Sequence, residues 1–363
     1  MRILYAIQGT GNGHISRARD IIPLLQKNGE VDILISGTEA DVGLGLPVKY
    51  QFKGLSFVFG KKGGIDLIST YKKAKLKRFL KEVKSLPVNE YDIVISDFEP
   101  VSAWACSFNH TPCIGLSHQA AVLNKKSPKP MTKDPFGKTI LKKYAPVTQQ
   151  YGFHFKAYDK NIFTPVIRNE IRNTNSPRLP HYTVYLPAYN DKRIIKILRK
   201  IKEIQWEVFS KHTMKTYKEE NIDVYPVNND AFIKSLVSCT GVLCGAGFET
   251  PAEALFLQKK LMVIPMKGQY EQQCNAAALK KMNVPVLKNL KKSKIEKIMA
   301  WVKNNDIVKV DYPNVTDKII DELFKTHSGI INNQTQPIIS VNETSEKKLH
   351  RVHLGNNLYQ IKG

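Results

Sequence analysis

Short apolar runs alternate with helix-length amphipathic stretches along most of the chain. That alternation admits few folds, because strand, helix and strand in repetition specify a parallel sheet with helices packed on its faces. In the first half the runs fall at Arg2–Ile7, Val31–Ser36, Lys49–Phe52, Tyr91–Ser96 and Cys113–Ser117, with helical patterns at His14–Lys27, Asp66–Ser85 and Val101–Phe108. The stretch "TPVIRNEIRNTNSPRLPH", Thr164 to His181, holds three prolines and no sustained period, and reads as a linker. A second series then begins, with strands at Tyr182–Pro187, Trp206–Ser210, Asp223–Val227, Gly241–Gly245 and Lys260–Pro265. Its helices lie at Asp191–Lys202, at Asn229–Cys239, from Thr250 onward and at Tyr270–Met282. The expectation is an α/β protein of two Rossmann-like parallel-sheet domains, 1–163 and 182–325, joined by 164–181. Beyond them a polar tail, 326–363, carries too few apolar residues to hold a packed position.

A length of 363 residues is enough for two domains, each with its own core. No apolar segment reaches the ~20 residues that cross a bilayer. The opening "MRILYAIQGTG" meets turn residues too early for a signal peptide, so a cytoplasmic protein is expected. Five cysteines (Cys106, Cys113, Cys239, Cys244, Cys274) lack zinc or redox spacing, which fits a reducing compartment and argues against a structural metal. The net charge of +23 attracts polyanions, but no nucleic-acid-binding motif accompanies it. Between Tyr71 and Lys84, Ala74, Leu76, Phe79, Leu80 and Val83 form one face of a helix with lysines opposite. Such a helix either packs on a sheet or lies on an anionic membrane surface.

The first strand runs into "QGTGNGHISRA", Gln8 to Ala18, where glycines alternate before a helix. A dinucleotide fingerprint requires a third glycine where His14 stands, and an acid at the end of the second strand, where Ser36 and Gly37 stand; Glu39 and Asp41 come late. The nicotinamide reading fails on both counts. What remains is a backbone loop (Gly11, Asn12, Gly13) suited to a hydroxyl-bearing ligand, with His14 at its mouth as a general base or a helix cap. Asp97 and Glu99 in "SDFEP" end an apolar strand, where ligands of open α/β sheets bind. They position an acceptor, serve as the base, or cap the helix around Pro100. His118 and Gln119 end the next strand and face the same cleft or satisfy each other's polar neighbours.

In the second half, "LCGAGFETPAEALFLQKKLMVIPMKGQYEQQCNAAAL" places a glycine turn before a helix whose first turn holds Pro251. Gly245, Ala246, Gly247, Phe248, Glu249 and Thr250 make a phosphate-binding helix start. Glu253 lies one turn inside, placed to chelate ribose hydroxyls, while Gln272 and Gln273 offer paired donors and acceptors to a sugar.

On "GTGNGHISRA", "SDFEP", "LSHQ" and "GAGFETPAEAL…GQYEQQCNA" the chain resembles GT-B glycosyltransferases of the MurG type, over about residues 1 to 325. It is similar above all to family 1-like proteins that share "GxGxGHxxR". The resemblance implies two Rossmann-like domains facing across a cleft, with a nucleotide-sugar donor, UDP-linked, on the second half. By it Gly245–Thr250 would cradle the diphosphate, Glu253 bind the ribose, Gln272 and Gln273 read the sugar, and Glu271 match an acidic loop position. His14 would be the base for the acceptor hydroxyl. The chain departs from the pattern at "LPAYND", where Ala188, Tyr189 and Asn190 replace a glycine- and serine-rich diphosphate loop. The implied activity is an inverting, metal-independent, cofactor-free sugar transfer to a glycan or lipid-linked acceptor, with peripheral contact to an anionic membrane. A UDP-N-acetylglucosamine 2-epimerase and a non-catalytic nucleotide-sugar-binding protein on the same fold are the alternatives.

Overall fold

The computed structural model describes residues 1–37, 43–55, 59–60, 64–65, 76–132 and 134–333. Strand β1 (Arg2–Gln8) is apolar on both faces, and Ile3 to Ile7 are wholly buried. That is the demand of a central parallel strand with helices on either side. Around it lie β2 (Glu30–Ser36), β3 (Tyr50–Phe52), β4 (Ile93–Asp97), β5 (Cys113–Ser117), β6 (Gln149–Phe153) and β7 (Ile162–Phe163). Their order is β3-β2-β1-β4-β5-β6-β7, and every neighbouring pair is parallel. The register sets Ile7 opposite Asp97 and Gln8 opposite Ser36, so the loops after β1, β2 and β4 leave one edge of the sheet together.

The second sheet contains β8 (His181–Tyr185), β9 (Gln205–Ser210), β10 (Tyr217–Glu219), β11 (Ile222–Pro226), β12 (Gly241–Gly245) and β13 (Lys260–Ile264). Their order is β10-β11-β9-β8-β12-β13, parallel except for the short edge strand β10. This strand order changes direction between β8 and β12, the place where an open α/β sheet leaves a crevice for a ligand.

In the first half, helices α1 (Asn12–Gln26), α2 (Leu76–Ser85), α3 (Pro100–Phe108), α4 (His118–Leu123) and α5 (Pro135–Tyr144) flank the sheet. The linker holds only α6 (Asn169–Arg172). The second half has α7 (Asp191–Leu198), α8 (Asn229–Ser238), α9 (Glu249–Phe256), α10 (Tyr270–Lys281) and α11 (Ile295–Lys303). The last helix, α12 (Thr316–Asn333), returns to pack on α1, burying Ile319, Ile320 and Leu323 in the core that also holds Ile21, Ile22 and Leu25. The fading of the pattern after Phe324 therefore does not end the packed chain. Buried His327 sets its ring edge-on to Tyr151, 6.0 Å between centroids. Residues 334–363 of the expected tail lie outside the described residues.

The basic amphipathic stretch resolves in part. Phe79 and Val83 of α2 are buried in the first half's core, while Leu76 at its start is exposed; residues 71–75, like Glu39 and Asp41, lie outside the described residues. The two halves also share one core. Phe155 and Ile167 of the first half and the linker join Phe248, Ala252 and Leu255 of the second in a single apolar cluster. The chain crosses the boundary twice, through the linker and on the way to α12, and Phe248 adds a side-chain contact across it.

Candidate active site

The strand edges of the two sheets face each other, and the cleft between them, about 310 Å³, is lined by the β1–α1 loop, the start of α9 and the loop before α10. Gly11 caps α1 with φ +113°, a left-handed conformation that glycine adopts without strain. The turn delivers His14 to the floor of the cleft, its side chain 14% exposed. His14 Nδ1 lies 2.9 Å from Asp97 Oδ1 at the end of β4. A carboxylate can only accept, so Nδ1 carries the proton and the Nε2 lone pair is left facing the cleft. Burial works against the imidazolium, but the Asp97 carboxylate outweighs it and holds His14 above its ordinary titration range. Burial also disfavours an ionised Asp97, yet Arg17 and His14 keep it below the usual carboxylate range.

Asp97 and His14 are joined by Arg17, three residues further along α1 and on the same helical face. Its Nη2 donates to both Asp97 oxygens at 2.7 Å, and its Nη1 donates to Glu249 Oε1 at the first turn of α9. Gly13 makes this possible. A Cβ at that position would fall against Glu249 Oε2, well inside van der Waals contact. Gly13 therefore permits the approach of the two halves, a use distinct from the expected approach to an acceptor.

The sequence placed Glu99 among the candidate bases, and the structure corrects this. Glu99 is fully buried, and its carboxylate accepts from Val101 N at 2.7 Å and Ser102 N at 2.6 Å, capping α3. It does not line the cleft. Nor does His118, expected there beside Gln119: its Nδ1 donates to Phe153 O at 2.7 Å and its Nε2 meets the Asn275 side-chain amide at 2.7 Å. The ring stacks on Phe248, 3.9 Å between centroids, so His118 fastens the two halves together. Both of its ring nitrogens face oxygen acceptors, Phe153 O and Asn275 Oδ1, while burial pulls its titration down. Gln119 does line the cleft, donating to Glu271 Oε2 at 3.0 Å and lying 3.4 Å from His14 Nε2.

Gly247, Phe248, Glu249 and Thr250 line the same cleft at the N-terminus of α9, whose N-cap residue Phe248 supplies no side-chain acceptor. The first-turn N–H groups are thus directed at whatever occupies the cleft. Gly245 and Ala246 lie behind them at the end of β12, where Ala246 O accepts from Asn275 Nδ2 at 3.1 Å. From Thr250 a narrower cavity of about 70 Å³ extends between Tyr185, Phe209 and Phe232, with the Asn228 and Asn229 amides at its rim. Glu253 forms part of its wall. Both its oxygens are taken by Arg168 of the linker, Nε at 2.5 Å and Nη2 at 2.9 Å, a bidentate grip that orients the carboxylate.

Gln272 lines the cleft that holds His14 and accepts from Met266 N at 2.9 Å, while Gln273 donates to Met266 O at 2.9 Å. Together they brace the loop before α10. Ala188 and Tyr189 line a separate, wider cleft of about 1490 Å³, away from His14. Asn190 caps α7 by accepting from Arg193 N at 3.0 Å. The structure thus does not bring Ala188–Asn190 to the cleft that holds His14. Among the described residues no three His, Cys, Asp or Glu side chains are arranged to hold a metal ion. None of their helices is long and apolar enough to cross a membrane.

A family model described as glycosyl transferase family 1 matches residues 1–304. The chain belongs to glycosyl transferase family 1. It is a glycosyltransferase of the GT-B fold, two mostly parallel sheets with helices. No protein of curated function matches it in sequence. Among solved structures it is similar to MurG of Acinetobacter baumannii (TM-score 0.54, 15% identity, covering 89% of this chain and 99% of that one). It is similar also to Arabidopsis thaliana UGT89C1 complexed with UDP (0.59, 11%, 92% and 99%). A third is Medicago truncatula UGT71G1 complexed with UDP-glucose (0.52, 11%, 92% and 98%). At these identities the likeness shows the fold.

Arg17, Arg168 and the aromatic cavity were not singled out in the sequence. The i, i+3 spacing of His14 and Arg17 was a usable signal, whereas Arg168 meets Glu253 across 85 residues and had none. Gly13→Ala should force Glu249 off Arg17 and destabilise the protein by about 1–3 kcal/mol. Urea unfolding measures this, and an unchanged midpoint would show that the halves do not need that close approach.

Proposed function

We propose that this glycosyltransferase moves a sugar from a UDP-linked donor to an acceptor hydroxyl, with inversion and without a metal. The observation that carries the reading is the His14–Asp97 pair, with His14 Nε2 turned to the cleft, 3.4 Å from the Gln119 amide, and the start of α9 lining that same cleft. The aromatic cavity between Tyr185, Phe209 and Phe232 suits the base, with Glu253 and the asparagine amides near the ribose. The diphosphate then falls at Gly247–Thr250, where first-turn N–H groups offset its charge, and the sugar faces His14.

In the reaction His14 Nε2 takes the acceptor's hydroxyl proton as the oxygen bonds to the anomeric carbon. The bond to the diphosphate oxygen breaks on the opposite face, and UDP leaves with that electron pair. The helix start takes the place of a metal in stabilising the departing charge. No cofactor enters the balance. Asp97 is a positioning residue, which fixes the His14 tautomer and supports the imidazolium that forms.

The wider cleft supports a finer reading of the acceptor. Lys267, Lys280, Lys281, Lys288 and Lys291 rim a floor of Met266, Val284, Pro285 and Val286, and the carboxylate at its edge, Asp134, is engaged in capping α5. This cleft shares Asp134, Gly268 and Tyr270 with the catalytic one. An acceptor bearing phosphate on an apolar chain, presented at an anionic membrane, matches that lining. Flotation with vesicles should then show binding to anionic but not neutral lipid, lost in high salt; equal binding to both would remove the membrane.

UDP and UDP-sugars should raise the melting temperature, by an amount equivalent to about 2.7 kcal/mol at a hundredfold excess over Kd, and NAD should not. Stabilisation by NAD alone would overturn the donor assignment. His14→Ala should lower kcat about a hundredfold or more and leave UDP affinity unchanged. Because only neutral His14 accepts the proton, the rate should fall as pH drops through a midpoint above 6.5. In Asp97→Asn that midpoint should move down, since the group that raises it is gone; a midpoint that stayed in place would separate Asp97 from the base.

A further inference from the structure

Arg17 is a buried cation that the chemistry above leaves without a role. It is 2% exposed, its guanidinium lies 5.6 Å from the centroid of Phe153, and its Nε has no hydrogen-bond partner. Burial opposes a cation there, and Asp97 and Glu249 together hold it protonated. Replacing a buried ion pair by apolar residues is often neutral or stabilising, so stability alone does not account for such a group. Its geometry is informative. One nitrogen serves both oxygens of Asp97 in the first half, and the other serves Glu249 in the second, a division that a planar fork provides and a lysine ammonium does not.

Glu249 poses the problem that Arg17 solves. It stands in the first turn of α9, 24% exposed, and lines the cleft at the helix start. Left uncompensated, its carboxylate would repel any anion drawn to those N–H groups. We propose that Arg17 is an interdomain positioning residue, which neutralises Glu249 at the donor helix and aligns His14 through Asp97, so that docking of the two halves and alignment of the base are one event. The donor half of this inference rests on the UDP-sugar reading above. The link between the halves does not.

A charge cycle on UDP affinity, measured by calorimetry, tests the donor half. Arg17→Gln should weaken UDP about tenfold, and Arg17→Gln/Glu249→Gln should restore it to within about threefold of wild type, because the uncompensated carboxylate is gone. A merely structural Arg17 gives no such rescue; a double variant as weak as Arg17→Gln overturns the proposal. Glu249→Gln alone keeps Arg17 on Asp97 and should fold even where Arg17→Gln does not. It should bind UDP more tightly than wild type, because a negative charge beside the helix start is gone, and equal or weaker binding counts against the proposal.

The link is read without any donor, from the His14 ring signals in an NMR pH titration of the free protein. Arg17 opposes protonation of His14 and Glu249 favours it, so the midpoint should rise in Arg17→Gln and fall in Glu249→Gln. Should UDP fail to bind even the wild-type protein, the donor reading falls and this titration still decides the link. Midpoints unmoved by either substitution would dissolve it.

Discussion

The buried guanidinium of Arg17, held between carboxylates from two domains, is the interaction on which the rest of this site depends. A cation taken out of water needs opposing charge close by, and here the two carboxylates come from β4 and from α9. Every nearby packing choice follows from bringing those elements together. Gly13 lacks a side chain because Glu249 occupies the space one would fill. Phe248 stacks on His118, and Asn275 reaches the other edge of that ring. The cleft owes its shape to this junction.

The same junction explains how an unexceptional histidine is oriented for the proposed role of base. In water an imidazole exchanges tautomers freely, and half its orientations would be unproductive. Here Asp97 accepts from Nδ1, and Arg17 holds Asp97 with both oxygens occupied, so the ring has one tautomer and one orientation. The glycine loop contributes less chemistry than geometry: it ends β1 and lets α1 begin at an angle that carries His14 and Arg17 to one face.

Much of this was legible in the sequence, for physical reasons that can be named. Arg2–Ile7 read as a strand because a central parallel strand is apolar on both faces, and Gly241–Gly245, which lies between two parallel neighbours, likewise. The last two strands of the first sheet were not legible. Gln149–Phe153 begins with two exposed glutamines, and Ile162–Phe163 spans a single dipeptide. The helix Pro135–Tyr144 carried an Asp-Pro start signal, masked by a lysine-rich surface face. Within the site, spacing identified Asp97 and Glu99 as a pair, but a D-x-E interval says nothing of which carboxylate meets a helix N-terminus; the chain reversal at Phe98, with φ 56°, sends Glu99 to α3. Ala188–Asn190 were assigned by correspondence with a loop, and the structure lines a different cleft with two of them. The Arg168–Glu253 pair lay beyond reach because its logic is tertiary.

A basic second cleft beside a neutral-tautomer histidine makes the molecule's charge less diffuse than its +23 suggests. The lysines lie where a long acceptor would pass, and the compensated charges lie where chemistry would occur. The central claim is that Asp97 holds the His14 proton on Nδ1 and leaves Nε2 open to the cleft. Long-range ¹⁵N–¹H NMR of the ring at pH 8 measures that directly. The Nδ1–H tautomer, converted to the mixed pattern of a free imidazole in Asp97→Asn, is the expected result; an Nε2–H tautomer in the wild-type protein would contradict it.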